Sequence, residues 1–207
     1  MTEFETLIKN NPGLIGLNVT VPYKQKVIPY LDALSKISRT IQAVNTINFC
    51  WRDGRLALIG HNSDVPGFER SIKEHLKEHH SSALVLGTGG ASKAITYVLD
   101  KIGIEYQLVS RTEGKERITY GNLESDMVKK SSLIINTTPL GMHPDRETYP
   151  KIPYDAITSD HLLFDLVYNP EKTQFLSKGE EQGAAIVNGY KMLVYQAEES
   201  WKIWNKL

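Results

Sequence analysis

The chain has 207 residues, and its 24 lysine and arginine residues balance 24 aspartate and glutamate residues, so the formal net charge is zero. A neutral chain creates no long-range field that would favour nucleic acid or an anionic membrane, so we expect neither as a partner. The content of 41% hydrophobic and 23% charged residues is typical of a folded globular protein. The composition therefore favours a small-molecule partner.

Cysteine content and hydropathy exclude further classes of protein. Cys50 is the only cysteine, so the chain forms neither an internal disulfide nor a cysteine-based metal cage. No apolar run approaches the length of a membrane-spanning helix. The acidic start at 1–5 lacks the basic and then apolar profile of a secretory signal, so we expect a cytoplasmic location.

Strand and helix patterns are mixed in the first 80 or so residues. Apolar and β-branched runs predict strands, and Asp53-Gly54 between two such runs predicts an antiparallel hairpin. Pro29 would kink or end the predicted helix at 23–34, which contains it. The predicted elements, in chain order, are a buried strand at 14–21, a helix at 23–34, strands at 43–49 and 56–59, and a helix at 66–79.

After Ser81-Ser82 the pattern changes to a regular alternation of strands and helices. This alternation predicts a parallel sheet covered on both faces, and hence an α/β fold. We predict a smaller α/β domain at 1–81, a Rossmann-like unit at 82–187 and a C-terminal helix at 188–207 that packs back on the first domain. The predicted elements are strands at 83–86, 105–109, 133–136, 162–167 and 184–187, and helices at 91–101 and 190–205.

A glycine-rich turn lies between the strand at 83–86 and the helix that follows it. Gly87, Gly89 and Gly90 would let the backbone approach a pyrophosphate, which would also meet the free N–H groups of the helix N-terminus. The third glycine of the usual pattern is replaced by Ala94. A tight strand-to-helix turn without a ligand is the alternative that this motif leaves open.

The end of the second strand of this unit bears on the choice of nucleotide. NAD-binding proteins place an acidic residue there to hold the ribose hydroxyls, whereas this chain has Ser110-Arg111-Thr112 followed by Lys115. A guanidinium stacks on adenine and pairs with a phosphate that a carboxylate would repel. The pattern favours NADP, and a solvated basic loop is the alternative.

Lys24 and Asp64 are candidates for acid–base chemistry. Lys24 falls at the start of a predicted helix, where the helix dipole disfavours a positive charge. Asp64 falls in a polar loop just before the helix at 66–79. Together the two side chains could move a proton on and off a substrate oxygen. A surface lysine and a helix-capping aspartate are the alternatives.

Eight motifs follow one another along the chain. They are Asn18-Val19-Thr20-Val21-Pro22-Tyr23-Lys24, Ala43-Val44-Asn45-Thr46-Ile47, Gly60-His61-Asn62-Ser63-Asp64, Gly87-Thr88-Gly89-Gly90-Ala91, Ser110-Arg111-Thr112, Asn136-Thr137-Thr138-Pro139-Leu140-Gly141-Met142, Asp165-Leu166-Val167-Tyr168-Asn169-Pro170 and Gly189-Tyr190-Lys191-Met192-Leu193-Val194-Tyr195-Gln196-Ala197. In these motifs and in their order the chain resembles the shikimate dehydrogenase family, from about Gly16 to its C-terminus. The resemblance implies an NADP-linked oxidoreductase of the shikimate pathway of aromatic amino-acid biosynthesis, which reversibly reduces 3-dehydroshikimate to shikimate by hydride transfer.

The resemblance also implies a role for each matched residue. Lys24 and Asp64 would be the catalytic pair, no metal would be needed, and a homodimer is compatible with the family. The substrate, shikimate or 3-dehydroshikimate, would be held by Thr20, Asn45, Asp64, Tyr168 and Gln196. The cofactor NADP would be held by Gly87, Gly89, Gly90, Ala91, Arg111, Thr112, Lys115, Thr138, Gly189 and Met192.

Several features depart from the family pattern. Gln42 stands where the family usually has glycine, Ser63 where it has threonine, and Ser110 where asparagine is common. The family opens with a strand and a Ser-x-Ser-Pro loop whose serines hold the substrate carboxylate, and these 207 residues contain no counterpart. We therefore expect an incomplete first domain, NADPH binding, and little or no oxidation of shikimate.

Two other functions stay open at this point. One is a dehydrogenase of the same fold acting on quinate or a related cyclohexane acid, although Arg111 and Lys115 argue against an NAD-dependent form. The other is a nucleotide-binding remnant without activity. His75, His79 and His80 would lie on a helix among Lys and Glu residues. His75 and His79 have the spacing of a metal-binding pair, but no third ligand accompanies them, so we expect a solvated helix face.

Overall fold

The computed structural model describes residues 3–52 and 54–206. The helices are α1 (Phe4–Asn10), α2 (Lys36–Ile41), α3 (Asp64–Lys73), α4 (Gly90–Ile102), α5 (Ser125–Lys130), α6 (Gln174–Glu181) and α7 (Tyr190–Asn205), with 3₁₀ helices at Ile28–Tyr30, Tyr120–Asn122 and Tyr154–Ala156. The strands are β1 (Gly16–Asn18), β2 (Ala33–Leu34), β3 (Thr46–Arg52), β4 (Arg55–His61), β5 (Ser82–Leu86), β6 (Glu105–Ser110), β7 (Arg117–Thr119), β8 (Leu133–Asn136), β9 (Leu162–Asp165) and β10 (Ala185–Val187). In this described part of the chain no helix is long and apolar enough to cross a bilayer.

A six-stranded parallel sheet in the order β10-β9-β8-β5-β6-β7 forms the larger part of the fold. The interior strands β8 and β9 are buried along their whole length, as expected for apolar runs covered on both faces. The α/β class and the predicted strands of this sheet are confirmed, although β9 ends at Asp165 rather than Val167.

A four-stranded sheet in the order β1-β3-β4-β2 forms the smaller part. Strands β3 and β4 are antiparallel neighbours, so the predicted hairpin is confirmed. Asp53 of its predicted turn lies outside the described residues, and Gly54 adopts a positive φ of 76° there. The short strand β2 runs parallel to β4 at one edge of this sheet.

Two predictions for residues 14–34 are wrong. The strand at 14–21 is reduced to the three residues of β1 at the sheet edge, and Val21 is 67% exposed. The helix at 23–34 is absent, and turns lead instead into the 3₁₀ helix at Ile28–Tyr30 and then β2. The helical spacing that suggested this helix comes from three apolar residues that all pack on one core, although the chain between them is not helical: Val27, Leu31 and Leu34. Pro29 lacks the N–H group that a continuous α-helix would need at that position.

The predicted helix at 66–79 is shifted and shortened. Helix α3 begins at Asp64 and ends at Lys73, so the histidines assigned to its exposed face lie beyond it. His80 is only 6% exposed, and its Nδ1 accepts a hydrogen bond from the Lys77 backbone at 3.0 Å. Among the described residues no group of His, Cys, Asp or Glu side chains could hold a metal ion.

Helix α7 returns from the larger sheet to the smaller one, which confirms the predicted packing of the C-terminal helix. It packs against α3 and β3, and the Trp204 indole donates a hydrogen bond to the Ile47 carbonyl at 3.0 Å. A Cβ atom added at Gly67 would lie 2.9 Å from the Gln196 Cβ, so glycine allows the close approach of α3 and α7. This packing brings Ser200 to Thr46, the first residue of β3, and Gln196 to Ser63, the residue before α3.

Candidate active site

An ion pair joins the turn after β1 to the first residue of α3. The Lys24 Nζ lies 2.7 Å from the Asp64 Oδ2, and the two side chains are 13% and 7% exposed. The prediction that Lys24 starts a helix is wrong, because it lies in a turn. Asp64 is favourably placed beside the positive end of the α3 dipole. Removing either partner would leave a largely buried charge without compensation.

Asn45 fixes the orientation of the Asp64 carboxylate. Its Nδ2 donates to the Asp64 Oδ1 at 2.9 Å, and its Oδ1 accepts a hydrogen bond from the Ser63 backbone N–H at 2.7 Å. Asn45 is 3% exposed and immediately precedes β3, so the sheet holds its backbone. With Oδ1 engaged by Asn45, Oδ2 is directed at the lysine ammonium.

A cluster of buried hydroxyl groups from β3, from the residue before α3 and from α7 lies next to the Lys24–Asp64 pair. The Ser63 Oγ donates to the Gln196 Oε1 at 3.2 Å and lies 2.9 Å from the Ser200 Oγ. Thr46 Oγ1 is 2.8 Å from the same Ser200 oxygen. Gln196 was predicted from the sequence, whereas Thr46 and Ser200 were missed. Ser200 lies one helical turn after Gln196 on the same face of α7, which is the signal that could have revealed it.

Thr20 and Tyr168, the other predicted substrate ligands, are exposed. Thr20 lies in the turn after β1, and Tyr168 follows β9 with 46% of its surface exposed. Neither side chain hydrogen-bonds to Lys24 or Asp64. The structure therefore brings Lys24, Asn45, Asp64 and Gln196 into one hydrogen-bonded group and leaves these two side chains outside it.

A cavity of about 620 Å³ adjoins the ion pair at the carboxyl ends of β5, β6 and β8. This edge of a parallel sheet is where open α/β folds bind nucleotides. Its walls are formed by the glycine turn, by the end of β6 and by the loop after β8, with Lys24 on the fourth side. The lining residues predicted from the sequence are Lys24, Gly87, Gly89, Gly90, Ala91, Arg111, Thr112 and Thr138.

The glycine turn fits a dinucleotide pyrophosphate. Gly87 has a φ of +109°, and a Cβ there would lie 2.6 Å from the Thr137 Oγ1, so this chain itself requires glycine. A Cβ at Gly90 would lie 3.1 Å from the Lys24 Cβ. At Gly89, in contrast, a Cβ would meet nothing within 4 Å. Since Gly89 is also the uncapped N-cap of α4, its open surroundings and free N–H groups suit a bound phosphate.

Three residues predicted for the cofactor lie outside the lining of this cavity. Lys115 lines an adjoining cavity. Gly189 is the N-cap of α7, where a Cβ would overlap the Leu166 carbonyl, so close packing already requires glycine there. Met192 is 7% exposed and belongs to the buried core cluster against which Leu166 also packs.

Asp165 forms a buried hydrogen-bonded centre beneath the loop after β8. It has no exposed surface, and burial raises the pKa of its carboxyl to about 7. Its oxygens accept hydrogen bonds from Asn136 Nδ2 at 2.9 Å, the Val167 N–H at 3.0 Å and Thr173 Oγ1 at 2.6 Å. Asn136 Oδ1 in turn accepts from Thr138 Oγ1 at 2.6 Å. The signal in the sequence is a polar residue, Asn136 or Asp165, that ends an otherwise apolar strand.

The fold and the site define an α/β protein with a Rossmann-like dinucleotide-binding domain and a substrate-binding domain. Residues 2–47 match the family model described as the shikimate dehydrogenase substrate binding domain. The Shikimate dehydrogenase (NADP(+)) of Carboxydothermus hydrogenoformans is 37% identical over 204 residues, which cover 91% of this chain and 71% of that protein. The chain belongs to the shikimate dehydrogenase family, and the similarity begins before Gly16, where the motifs had placed its start.

Solved structures give the same result. A shikimate dehydrogenase from Aquifex aeolicus has a TM-score of 0.86 and 35% identity, and the match covers 100% of this chain and 78% of that one. The Thermus thermophilus shikimate 5-dehydrogenase in complex with NADP(H) and shikimate has a TM-score of 0.83 and 28% identity, covering 98% of this chain and 77% of that one.

Proposed function

We propose that the chain is an NADP-dependent shikimate dehydrogenase that interconverts the alcohol shikimate and the ketone 3-dehydroshikimate. The observation that carries this proposal is the position of Lys24. Its ammonium pairs with Asp64 at 2.7 Å, and its stem lines the cavity of the glycine turn. Lys24 therefore belongs both to the Lys24–Asp64 pair, which can accept and donate a proton, and to the wall of the cavity that fits a nucleotide.

NADP, when bound, supplies the hydride acceptor for oxidation and the hydride donor for reduction. Lys24 and Asp64 handle the proton. The pair accepts the proton that the alcohol oxygen loses on oxidation and returns it to the ketone oxygen on reduction. Asn45 keeps the Asp64 Oδ2 directed at the ammonium, so Lys24 is held at a fixed place beside the cleft.

The basic end of β6 supports the choice of NADP. Arg111 and Thr112 line the cleft, and among the described residues that line it there is no Asp or Glu to hold a ribose hydroxyl. A guanidinium at this position stacks on adenine and pairs with a 2′-phosphate. Thr20, Tyr168 and Gln196 as substrate ligands, and Gly189 and Met192 near the nicotinamide, belong to the same proposal.

The domain boundary is a further part of the proposal. The strands of the smaller sheet end at His61 in β4, and those of the larger sheet begin at Ser82 in β5. This separation supports a substrate domain at 1–81, an NADP domain at 82–187 and a returning segment at 188–207. A homodimer is proposed on the family resemblance alone, and sedimentation equilibrium would test it.

A substrate panel tests the proposed reaction. NADP reduction would be followed at 340 nm at high enzyme concentration, so that slow turnover is detected. We expect absorbance to rise only slowly with shikimate and NADP, in keeping with the little oxidation of shikimate expected from the sequence, and to rise more slowly still when quinate replaces shikimate or NAD replaces NADP. Absence of any shikimate-dependent reduction at saturating NADP would contradict the proposal, and faster reduction with quinate would change the substrate.

A further inference from the structure

A second cavity of about 310 Å³ lies on the other side of the glycine turn. Thr88 lines both this cavity and the larger cleft, so the two adjoin one another. Leu108 of β6 also lines this second cavity, two residues before Ser110, where β6 ends. The adenosine end of a dinucleotide is expected at the end of this strand, because the pyrophosphate occupies the neighbouring turn.

Positive charge dominates the lining of this second cavity. Lys93 reaches it from the first turn of α4, Lys115 from the loop after β6 and Arg117 from the first residue of β7. Glu116 is the single carboxylate in the lining. Neither Lys93 nor Lys115 forms an ion pair within residues 3–52 and 54–206. Three cations facing one carboxylate favour a dianionic ligand.

The loop that carries Lys115 is held in shape by Arg117. The Arg117 Nε and Nη2 donate to the Glu113 carbonyl at 3.3 and 3.2 Å. A Cβ added at Gly114 would lie 2.5 Å from the same Nε, so the guanidinium lies directly against this glycine. Arg117 thereby braces the turn at 113–117, and Lys93 and Lys115 remain free to bind an anion from two sides.

We propose that Lys93, together with Lys115, binds the 2′-phosphate of the cofactor in this second cavity, and is therefore a specificity-determining residue. The inference rests on the proposed NADP-dependent function and extends it, since Lys93 is not among the residues that the family resemblance implies. A phosphate monoester carries close to two negative charges at neutral pH and accepts several charge-assisted hydrogen bonds. Arg111, in the adjoining larger cleft, stacks on the adenine and pairs with the same phosphate from the other side.

Two nucleotides that differ only in the 2′-phosphate test this assignment by isothermal titration. The Lys93→Gln change should weaken adenosine 2′,5′-bisphosphate about fivefold to tenfold, because one charge-assisted contact at a partly exposed site is lost. Affinity for adenosine 5′-monophosphate should change less than about twofold. Lys93→Arg should keep most of the preference, since it keeps the charge.

Lys130→Gln is the matched control, because it removes the same charge at the end of α5, before the amino end of β8. It should alter neither affinity. Equal weakening of both nucleotides by Lys93→Gln, or no weakening of either, would overturn the assignment. Melting temperatures of the variants identify any loss that comes from unfolding.

The unmodified chain separates this inference from the proposed function. If it prefers the bisphosphate and Lys93→Gln keeps that preference, the role of Lys93 is refuted while the NADP assignment stands. If it binds both nucleotides equally, recognition of the 2′-phosphate is refuted altogether. Titration with inorganic phosphate distinguishes the source of the anion. Binding of inorganic phosphate that depends on Lys93, without any nucleotide preference, would assign the cavity to free phosphate instead.

Discussion

Asp165 couples the stability of the protein to pH. Its carboxyl is completely buried, and burial raises its pKa from 3.8 to about 7 in spite of hydrogen bonds from Thr173, Val167 and Asn136. Because the folded-state pKa lies above the unfolded-state value, the folded protein holds this proton more tightly. The stability linked to the neutral carboxyl is therefore present below pH 3.8 and is lost as the pH rises through about 7.

The Asp165→Asn variant removes this ionisation and keeps the size of the side chain. From pH 5 to pH 8 a pKa difference of this size lowers the free energy of unfolding by about 2 to 3 kcal/mol, and the variant should lack this loss. At pH 5 the variant should be the less stable protein by about 1 to 3 kcal/mol, because its amide group would face donors that now bond to a carboxyl oxygen.

Urea unfolding followed by tryptophan fluorescence at pH 5 and pH 8 measures both effects. The difference in free energy of unfolding between variant and unmodified protein should move by about 2 to 3 kcal/mol in favour of the variant as the pH rises. Asp126→Asn is the control, because that side chain is 78% exposed and should give a difference that is nearly independent of pH. A difference for Asp165→Asn that is the same at both pH values would refute the reasoning.

Two further predictions concern the cofactor cleft. Gly87→Ala should weaken NADPH binding at least about tenfold, because its Cβ would lie 2.6 Å from the Thr137 Oγ1 at a φ of +109°. Gly103→Ala is the control, since it has a φ of +75° but open space, and should lower stability without changing the affinity measured by fluorescence titration. In the same titration the unmodified protein should bind NADPH at least about tenfold more tightly than NADH, and Arg111→Ala should remove most of that preference. Equal affinities for the two cofactors in the unmodified protein would contradict the assignment of NADP.

Five of the six strands of the larger sheet could be predicted from the sequence because they are short apolar runs, whereas the edge strand β7 was not predicted. Strands β8 and β9 illustrate this, since every residue in them is buried and no alternation of exposure blurs the pattern. The smaller sheet was harder to predict. Strand β1 lies at an edge with mixed exposure, and the apolar residues after it have helical spacing without a helix.

The sequence shows that Gln42 replaces the glycine usual in the family, but it does not show the backbone conformation of Gln42. It ends α2 in the left-handed conformation with a φ of 53°, the region in which glycine is usual. Its side-chain Nε2 donates to the Arg39 carbonyl at 2.7 Å, which offsets part of the backbone strain. Only the structure shows both facts.

Single residues of the site could be named from the sequence, but their partners could not. Lys24 and Asp64 are 40 positions apart, and their contact depends on how β1, β3 and α3 are arranged. The hydrogen bonds that Ser200 makes from α7 depend on the packing of two helices, which no local pattern specifies. The role of Asp165 as a buried hydrogen-bonded centre could not be predicted, because the sequence shows only a polar residue at the end of a strand and not the groups that donate hydrogen bonds to it.

The most direct test of the proposed chemistry compares the turnover of Lys24→Ala and Asp64→Ala with that of the unmodified chain. Shikimate-dependent NADP reduction would be measured at high enzyme concentration, alongside NADPH affinity by fluorescence. Each variant should lower kcat by roughly 10² to 10⁴, as expected for loss of a general acid or base. Lys36→Ala, which removes an exposed lysine at the start of α2, should leave kcat unchanged. Affinity for NADPH should change little, because Lys24→Ala keeps the Cβ that lies beside Gly90. Wild-type turnover in both variants would contradict the account.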